Sequence, residues 1–447
     1  MIKQAASIIS ADNSDQDRKQ VKRKFFDCVF IFGFICALIP GPLPQLTSVA
    51  SLLLLGCIMI SFFDENFYLY LAIFIYLRYR LLLGDTPAFR IYSYLVVLRF
   101  LKDMPDMKFR IAYLPAIFVF ALHSIIATGR FESIRIGLNV IVDCVLAYLV
   151  VMKILQEPKL FRKFIFAFIL GGVASGIYGW TSTEFTKEIN VSGAGAHKVS
   201  RNFGALSDAN FAGLFYSLCL IFSLITGGIP KWLRYVFAAL FAVMILQTAS
   251  LSALLILSLL SMFLIILKYR TKSIFILSFA FFALVLAVCV VLAVPQLRQI
   301  GAIQGLIIRI TEKLSYIPRG RWDLLTTDRY AIWQAAGETL AAKSIWGKLV
   351  GGSVVTVMTI DTSTFYTACH NSYLQSILNF GIAGTILIYV PVFLVFVYRV
   401  LKHFSNSADY ENEDIQIMRL LCVFAFIVFG MTVDFFIDWP FMFLYFI

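Results

Sequence analysis

A train of long, uninterrupted apolar runs constrains this chain more than any other feature. They fall at about 25–40, 46–63, 67–83, 111–128, 137–155, 164–180, 208–227, 233–248, 252–267, 274–294, 372–400 and 416–435, with a weaker run over 88–101. About 20 apolar residues cross a bilayer as a helix. Runs that are continuous rather than alternating exclude a β-barrel. Composition agrees: 60% of the residues are hydrophobic and 14% charged, where a soluble domain is about a quarter charged. A dozen spanning helices would use roughly 240 residues, so the remainder sits in loops that must carry most of the chemistry. The expected fold is all-α, a polytopic transmembrane helix bundle of about 12–14 membrane helices with a large helical outer loop.

The formal net charge of +12 would suggest nucleic acid in a soluble protein. In a membrane protein it first reports topology, because Lys and Arg collect on the cytoplasmic side. No nucleic-acid partner is expected. The polar tail 1–24 carries Arg18, Lys19, Lys22, Arg23 and Lys24 and runs straight into an apolar stretch long enough to remain as an anchor. With that tail inside and every run crossing, the basic turns at Lys102–Arg110, Lys153–Lys163, Lys231/Arg234, Lys268–Lys272 and Arg399/Lys402 all land inside. The parity requires the weak run at 88–101 to cross or at least to return the chain. The predicted organisation is a cytoplasmic tail (1–24), a transmembrane bundle (25–294) with an outer loop at 181–207, a large extracytoplasmic loop (295–371) and C-terminal transmembrane helices (372–447). The eight cysteines show no CxxC spacing and read as small buried hydrophobes.

The long outer loop breaks the usual charge bias. It holds Arg298, Arg309, Lys313, Arg319, Arg321, Arg329, Lys343 and Lys348. Either it is a solvated ectodomain or its cations handle an anionic substrate. Within it, Ile332, Ala336 and Leu340 recur at helical spacing and predict a helix over 328–345, with Asp328 as cap and Arg329 in the first turn. A helix N-terminus favours anions, and an arginine there adds a bidentate phosphate donor. His370 ends the loop, directly before a membrane helix, in the run His370-Asn371-Ser372-Tyr373-Leu374. The positive end of a helix keeps such a ring neutral, which suits a general base; the alternative is an interfacial residue that merely caps the helix. Arg201 and the segment Ser207-Asp208-Ala209-Asn210 close the first outer loop, where Asp208 and Asn210 are ordinary caps and Arg201 can anchor a headgroup. No ligand spacing for a metal and no nucleotide-binding loop is present.

Three segments together resemble the bacterial O-antigen ligase and polymerase family. They are Arg201…Gly204…Asp208-Ala209-Asn210; Arg329-x-x-x-Trp333 followed by Gly347…Gly351-Gly352; and His370-Asn371-x-Tyr373-Leu374 with Gly381 and Gly384 beyond it. The resemblance implies a glycosyltransferase of the cytoplasmic (inner) membrane with its site on the extracytoplasmic face. Its donor is a glycan on undecaprenyl diphosphate, its acceptor a sugar hydroxyl, and it needs no cofactor and no metal. The partners implied are that donor, the glycan acceptor, the lipid bilayer and other polysaccharide-assembly membrane proteins. His370 takes the place of the family's proposed base. Arg329, with Arg201, Arg321, Asn371 and Asn210, would bind diphosphate and substrate. The sequence departs from the family where a Ser-Arg pair is common: it reads Thr248-Ala249-Ser250-Leu251-Ser252, with Leu251 in place of the arginine. Arg201, Arg319 and Arg321 are the replacements considered, and the missing arginine tilts the reading from ligase towards polymerase. The proline that often precedes the asparagine of the Asp208-Ala209-Asn210 segment is also absent. The competing reading is a polysaccharide or lipid transporter or flippase, which should bury ionisable residues mid-membrane; Arg78, Arg80 and Asp143 are the ambiguous ones.

Overall fold

The computed structural model describes residues 44–77, 81–83, 86–106, 108, 110–126, 131–181, 186–191, 197–206, 208–273, 275–278, 296, 301–320, 329–351, 358–360, 365–367, 369–405, 412–432 and 442–447. The runs at 25–40 and most of 274–294 lie outside them, as do Arg78, Arg80, Arg321 and Asp328. The apolar runs become helices: α1 (Pro44–Ile60), α2 (Tyr70–Leu77), α3 (Ala88–Asp103), α4 (Leu114–Ile126), α5 (Phe131–Ile154), α6 (Pro158–Thr181), α7 (Ala209–Ile225), α8 (Lys231–Gln247) and α9 (Leu251–Tyr269). The expected outer loop holds α10 (Gly301–Tyr316), α11 (Arg329–Ala342) and α12 (Ile345–Val350). Then come α13 (Ser372–Ser405), α14 (Glu413–Phe429) and α15 (Met442–Phe446). Among the described residues, α6, α9 and α13 are long and apolar enough to cross a membrane, and α7 is a shorter apolar helix. Large apolar side chains face outward on several helices, for example Leu98, Trp232, Phe393 and Leu401. A soluble surface would not carry so many.

Among the described residues, three antiparallel strand pairs were not legible from apolar periodicity. They are β1 (Leu82–Leu83) with β2 (Thr86–Pro87), β3 (Thr186–Val191) with β4 (His197–Asn202), and β5 (Met358–Ile360) with β6 (Phe365–Thr367). The second fills the outer loop at 181–207, and the third precedes His370.

The weak run forms α3. Its Arg90 pairs with Asp143 of α5 at 2.9 Å, so one ambiguous intramembrane charge is neutralised within the bundle. Asp103 accepts from Arg99 and from the Tyr68 hydroxyl. The basic turns gather at one end. Arg162 makes a bidentate contact to Asp414 (3.0 and 2.9 Å), Asp414 accepts the Gly227 amide, and Lys163 reaches Asn66. At the same chain reversals, His403 contacts the Leu267 carbonyl and Arg270 donates to that of His403. Residues 442–447 are buried in the core against α5 and α14, with Tyr445 donating to the Ile388 carbonyl. The described cysteines, Cys57, Cys144, Cys219, Cys369 and Cys422, are buried and unbridged.

Candidate functional site

At the opposite end of the bundle, the short turn between α8 and α9 forms a docking point. Ala249 sits in left-handed backbone (φ 47°), an uncommon conformation for a residue with a Cβ. The turn is held from within: the Thr248 hydroxyl accepts the Ser250 amide, and the Ser250 hydroxyl caps α9 at Ala253. Its carbonyls face outward and collect two arginines. Arg201, the fifth residue of β4, donates through Nε to the Thr248 carbonyl at 2.9 Å. Arg309, from the middle of α10, donates to the Ala249 carbonyl, and the neighbouring Ile308 packs on Ala249. Asn210 links the parts. Its Oδ1 accepts from Arg201 Nη2 (3.3 Å) and from the Ser250 hydroxyl (2.7 Å), while its amide caps on Asp208 (2.6 Å).

Arg329 is the first residue of α11, and His370 is the last before the turn into α13. Their elements are bound to each other. Trp333, one turn after Arg329, donates through Nε1 to the Cys369 carbonyl at 3.0 Å. Ile332, Ala336, Cys369 and Leu378 form a small core beneath α11. The Cys369 amide donates to Gln375 Oε1 (2.9 Å), so both polar groups of the residue before the histidine are fixed. Asn371 Oδ1 accepts the Tyr373 and Leu374 amides, both at 3.0 Å, which makes this side chain the cap of α13. The Ser372 amide and Tyr373 hydroxyl tie the same turn to the Gly430 and Ile427 carbonyls at the end of α14. Between these anchors His370 adopts φ 48°, also left-handed, in a residue that keeps access to solvent. An observed conformation of that kind costs roughly 1–3 kcal/mol and persists only where the surroundings over-determine it.

The glycine clusters explain how α12 approaches α13. Gly351 and Gly381 have φ of 74° and 69° with extended ψ of −158° and 179°, a region open essentially to glycine alone. A Cβ on Gly381 would lie 2.4 Å from the Leu349 carbonyl oxygen, and one on Gly351 2.3 Å from that of Asn379. The backbones touch, and α13 breaks at Gly381. Lys343 Nζ accordingly donates to the Leu378 carbonyl at 2.5 Å, and His123 Nε2 contacts the Val350 carbonyl at 2.6 Å. His123 is thus a buried tie between α4 and α12.

Electrostatics group the same residues. Arg201 is lowered from the usual arginine range to about 10, first by desolvation, then by the charge of Arg309; Asp208 raises it and Arg329 lowers it. Arg309 and Arg329 are also lowered, each chiefly by desolvation; Glu312 raises the first and Asp208 the second. His370 is lowered from its ordinary 6.5 by desolvation and then by Arg329, with Asp208 opposing. Arg329 is therefore within electrostatic reach of Arg201, Arg309 and His370, and the group is set against Asp208 and Glu312. Such a site has unused capacity for negative charge.

Of the residues predicted from sequence, Arg201, Asn210, Arg329, His370 and Asn371 lie at this end. Asn210 and Asn371 use their side-chain oxygens on protein partners. Arg321 lies outside the described residues, and Arg319 is exposed in the turn after α10. Arg309 was not singled out as a site residue from the sequence. Its only signal was a lone cation inside the apolar stretch Leu306-Ile307-Ile308-Arg309-Ile310. Together with Arg201 it supplies positive charge at the hairpin where Leu251 lacks it. Among the described residues no group of three His, Cys, Asp or Glu side chains could hold a metal ion.

Residues 235–389 match the family model described as O-antigen ligase. The match runs from α8 through the outer helices into α13, so it contains the hairpin, Arg309, Arg329 and His370 but not Arg201. It bears out the resemblance to that family, with the second and third motifs inside the matched residues and the Arg201–Asn210 motif outside them. With the apolar helices it indicates an integral membrane protein, and it implies a ligase-type glycosyltransferase of surface-polysaccharide assembly. No curated protein and no solved structure matches the chain.

Proposed function

We propose, from the match of residues 235–389 to the O-antigen ligase family model, that this chain transfers a glycan from undecaprenyl diphosphate to a sugar hydroxyl at the extracytoplasmic face of the inner membrane. The observation that carries this reading is the coupled group of Arg201, Arg309 and Arg329, of which Arg329 also acts on His370. Transfer from a lipid diphosphate needs a deprotonated acceptor and a stabilised leaving group, and these residues offer both. His370, neutral at pH 7, takes the proton of the acceptor hydroxyl. That oxygen bonds to the anomeric carbon of the donor as the bond from this carbon to the diphosphate oxygen breaks. The electron pair leaves with the diphosphate, where the arginines stabilise the developing charge. The activated donor supplies the driving force, so neither metal nor nucleotide is needed. Asn210 acts as a positioning residue that holds Arg201, and Asn371 as one that fixes the turn bearing His370. Because Arg309 provides a cation at the hairpin, the missing arginine at Leu251 no longer argues for polymerase over ligase.

The test supplies purified full-length protein in vesicles with a repeat unit linked to undecaprenyl diphosphate. Longer lipid-linked chains identify a polymerase, and glycan on a different acceptor a ligase. Movement of the lipid without bond formation would overturn the reading in favour of a transporter. His370→Ala is expected to lower transfer about 10²–10⁴-fold, the usual contribution of a positioned base, and full activity in that variant would remove His370 from the mechanism.

A further inference from the structure

The far end of α13 carries a second cationic site with no part in this chemistry. A cavity of about 340 Å³ lies among Arg110, Arg399, Lys402 and Arg419, with Tyr398 and Gln416 beside them, and among the described residues its lining holds no Asp or Glu side chain. Arg399 lies 18 residues beyond the break at Gly381 on a helix ending at Ser405, roughly 27 Å at 1.5 Å per residue, close to the thickness of the hydrocarbon core, so the cavity opens at the opposite membrane face from His370. The positive-inside rule makes that face the cytoplasmic one. Arg399 and Arg110 place one Nη1 each on a main-chain oxygen of Ile447, the last residue of the sequence, at 2.9 and 3.4 Å, which leaves Arg419 and Lys402 without that acceptor. Arg419 is less well served: its Nε is buried without a hydrogen-bond partner, and the charges of Arg399 and Arg110 bear on it. His403 is committed elsewhere, its ring on the Leu267 carbonyl. Like charges gathered in a partly desolvated pocket are costly unless an anion joins them.

We propose that this pocket binds a phosphate-bearing anion. Guanidinium forks match phosphate oxygens, and Lys402 adds a point charge at the mouth. The mouth adjoins the outward apolar face of α13, where Leu394, Tyr398 and Leu401 are each at least 60% exposed. A lipid headgroup could therefore enter from the bilayer, as basic pockets between membrane helices allow, and a soluble phosphate could enter from the aqueous side.

The test titrates detergent-purified full-length protein with short-chain phosphatidylglycerol, with sodium phosphate at matched ionic strength, or with phosphatidylcholine as a zwitterionic control, reading the shift in melting temperature. Phosphatidylglycerol or phosphate is expected to raise it, and Arg419→Gln and Lys402→Gln are each expected to weaken the apparent affinity about tenfold, the loss of one charge-assisted contact. Lys402 is exposed, so its variant folds independently of any packing role at Arg419. A response to phosphatidylglycerol alone assigns the site to a lipid, and an equal response to free phosphate assigns it to a soluble anion. No shift with either anion, or the same shift in wild type and both variants, overturns the proposal. The readout does not involve glycan transfer, so it stands or falls apart from the activity proposed above.

Discussion

Arg201 and Arg309 reach adjacent carbonyls of one hairpin, Thr248 and Ala249, from elements more than a hundred residues apart. A carbonyl uses only part of a guanidinium's five donors, so both heads keep N–H groups for a ligand. If Arg309 stabilises the departing diphosphate, Arg309→Gln should lower kcat by about 10²-fold and leave folding intact. Adding Leu251→Arg to that variant should restore part of the loss, because it returns the cation to the same hairpin from the position the family more commonly uses. Rates of glycan transfer by the single and double variants decide this; an inactive double variant with a normal melting temperature would show that α10 must deliver the charge. His370 makes a second prediction at this scale. Its pKa lies below 6.5, and a base works only when deprotonated. Transfer should therefore be lost as pH falls through that lowered value and be level by about pH 7. A limb above the ordinary histidine value would contradict it. The sequence marked His370 and Arg329 through local motifs. It could not mark Arg309, whose role depends on α10 folding across 60 residues onto Ala249.

At the scale of elements, α11 and α13 are coupled by a few specific contacts rather than by a large interface. The apolar spacing Ile332, Ala336, Leu340 made α11 legible, because that stripe covers Cys369 and Leu378. The hairpin of β3 and β4 was not legible: Thr-Lys-Glu-Ile-Asn-Val and His-Lys-Val-Ser-Arg-Asn show no apolar face to read. Nor did spacing reveal that Trp333 holds the Cys369 carbonyl. Trp333→Phe keeps an aromatic side chain, smaller than the indole, and deletes the donor, so it should loosen the turn at His370. We expect a fall in kcat of about tenfold, with little change in melting temperature, since one hydrogen bond contributes only about 1 kcal/mol. The glycine pair behaves differently. Gly381→Ala adds a Cβ 2.4 Å from the Leu349 oxygen in backbone that only glycine adopts. The conformational cost alone is about 1–3 kcal/mol, so the melting temperature itself should drop, together with activity.

Across the whole molecule, the positive charges divide into two populations at opposite ends of the helices. One set sits in the turns with Arg162, Arg270 and the Arg399/Arg419 pocket; the other surrounds His370. Parity along the sequence expects such a division, with the basic turns alternating with the others if every apolar run crosses. It left open the C-terminal segment, which is apolar but short. Residues 442–447 are buried in the core, where Ile447 meets Arg399 and Arg110. The division can be measured directly. Gln334 on α11 and Ser405 at the end of α13 are both exposed, whereas the five described native cysteines are buried and should react slowly. In intact cells stripped of their outer membrane, a membrane-impermeant maleimide should label Gln334→Cys. Ser405→Cys should react only after the inner membrane is permeabilised. Labelling of both from one side would mean that α13 does not carry the chain across, and would place the arginine cluster and the cationic pocket on the same face. The opposite pattern, with Ser405→Cys labelled first, would invert the bundle and put His370 in the cytoplasm, where a donor presented in the outer leaflet could not reach it.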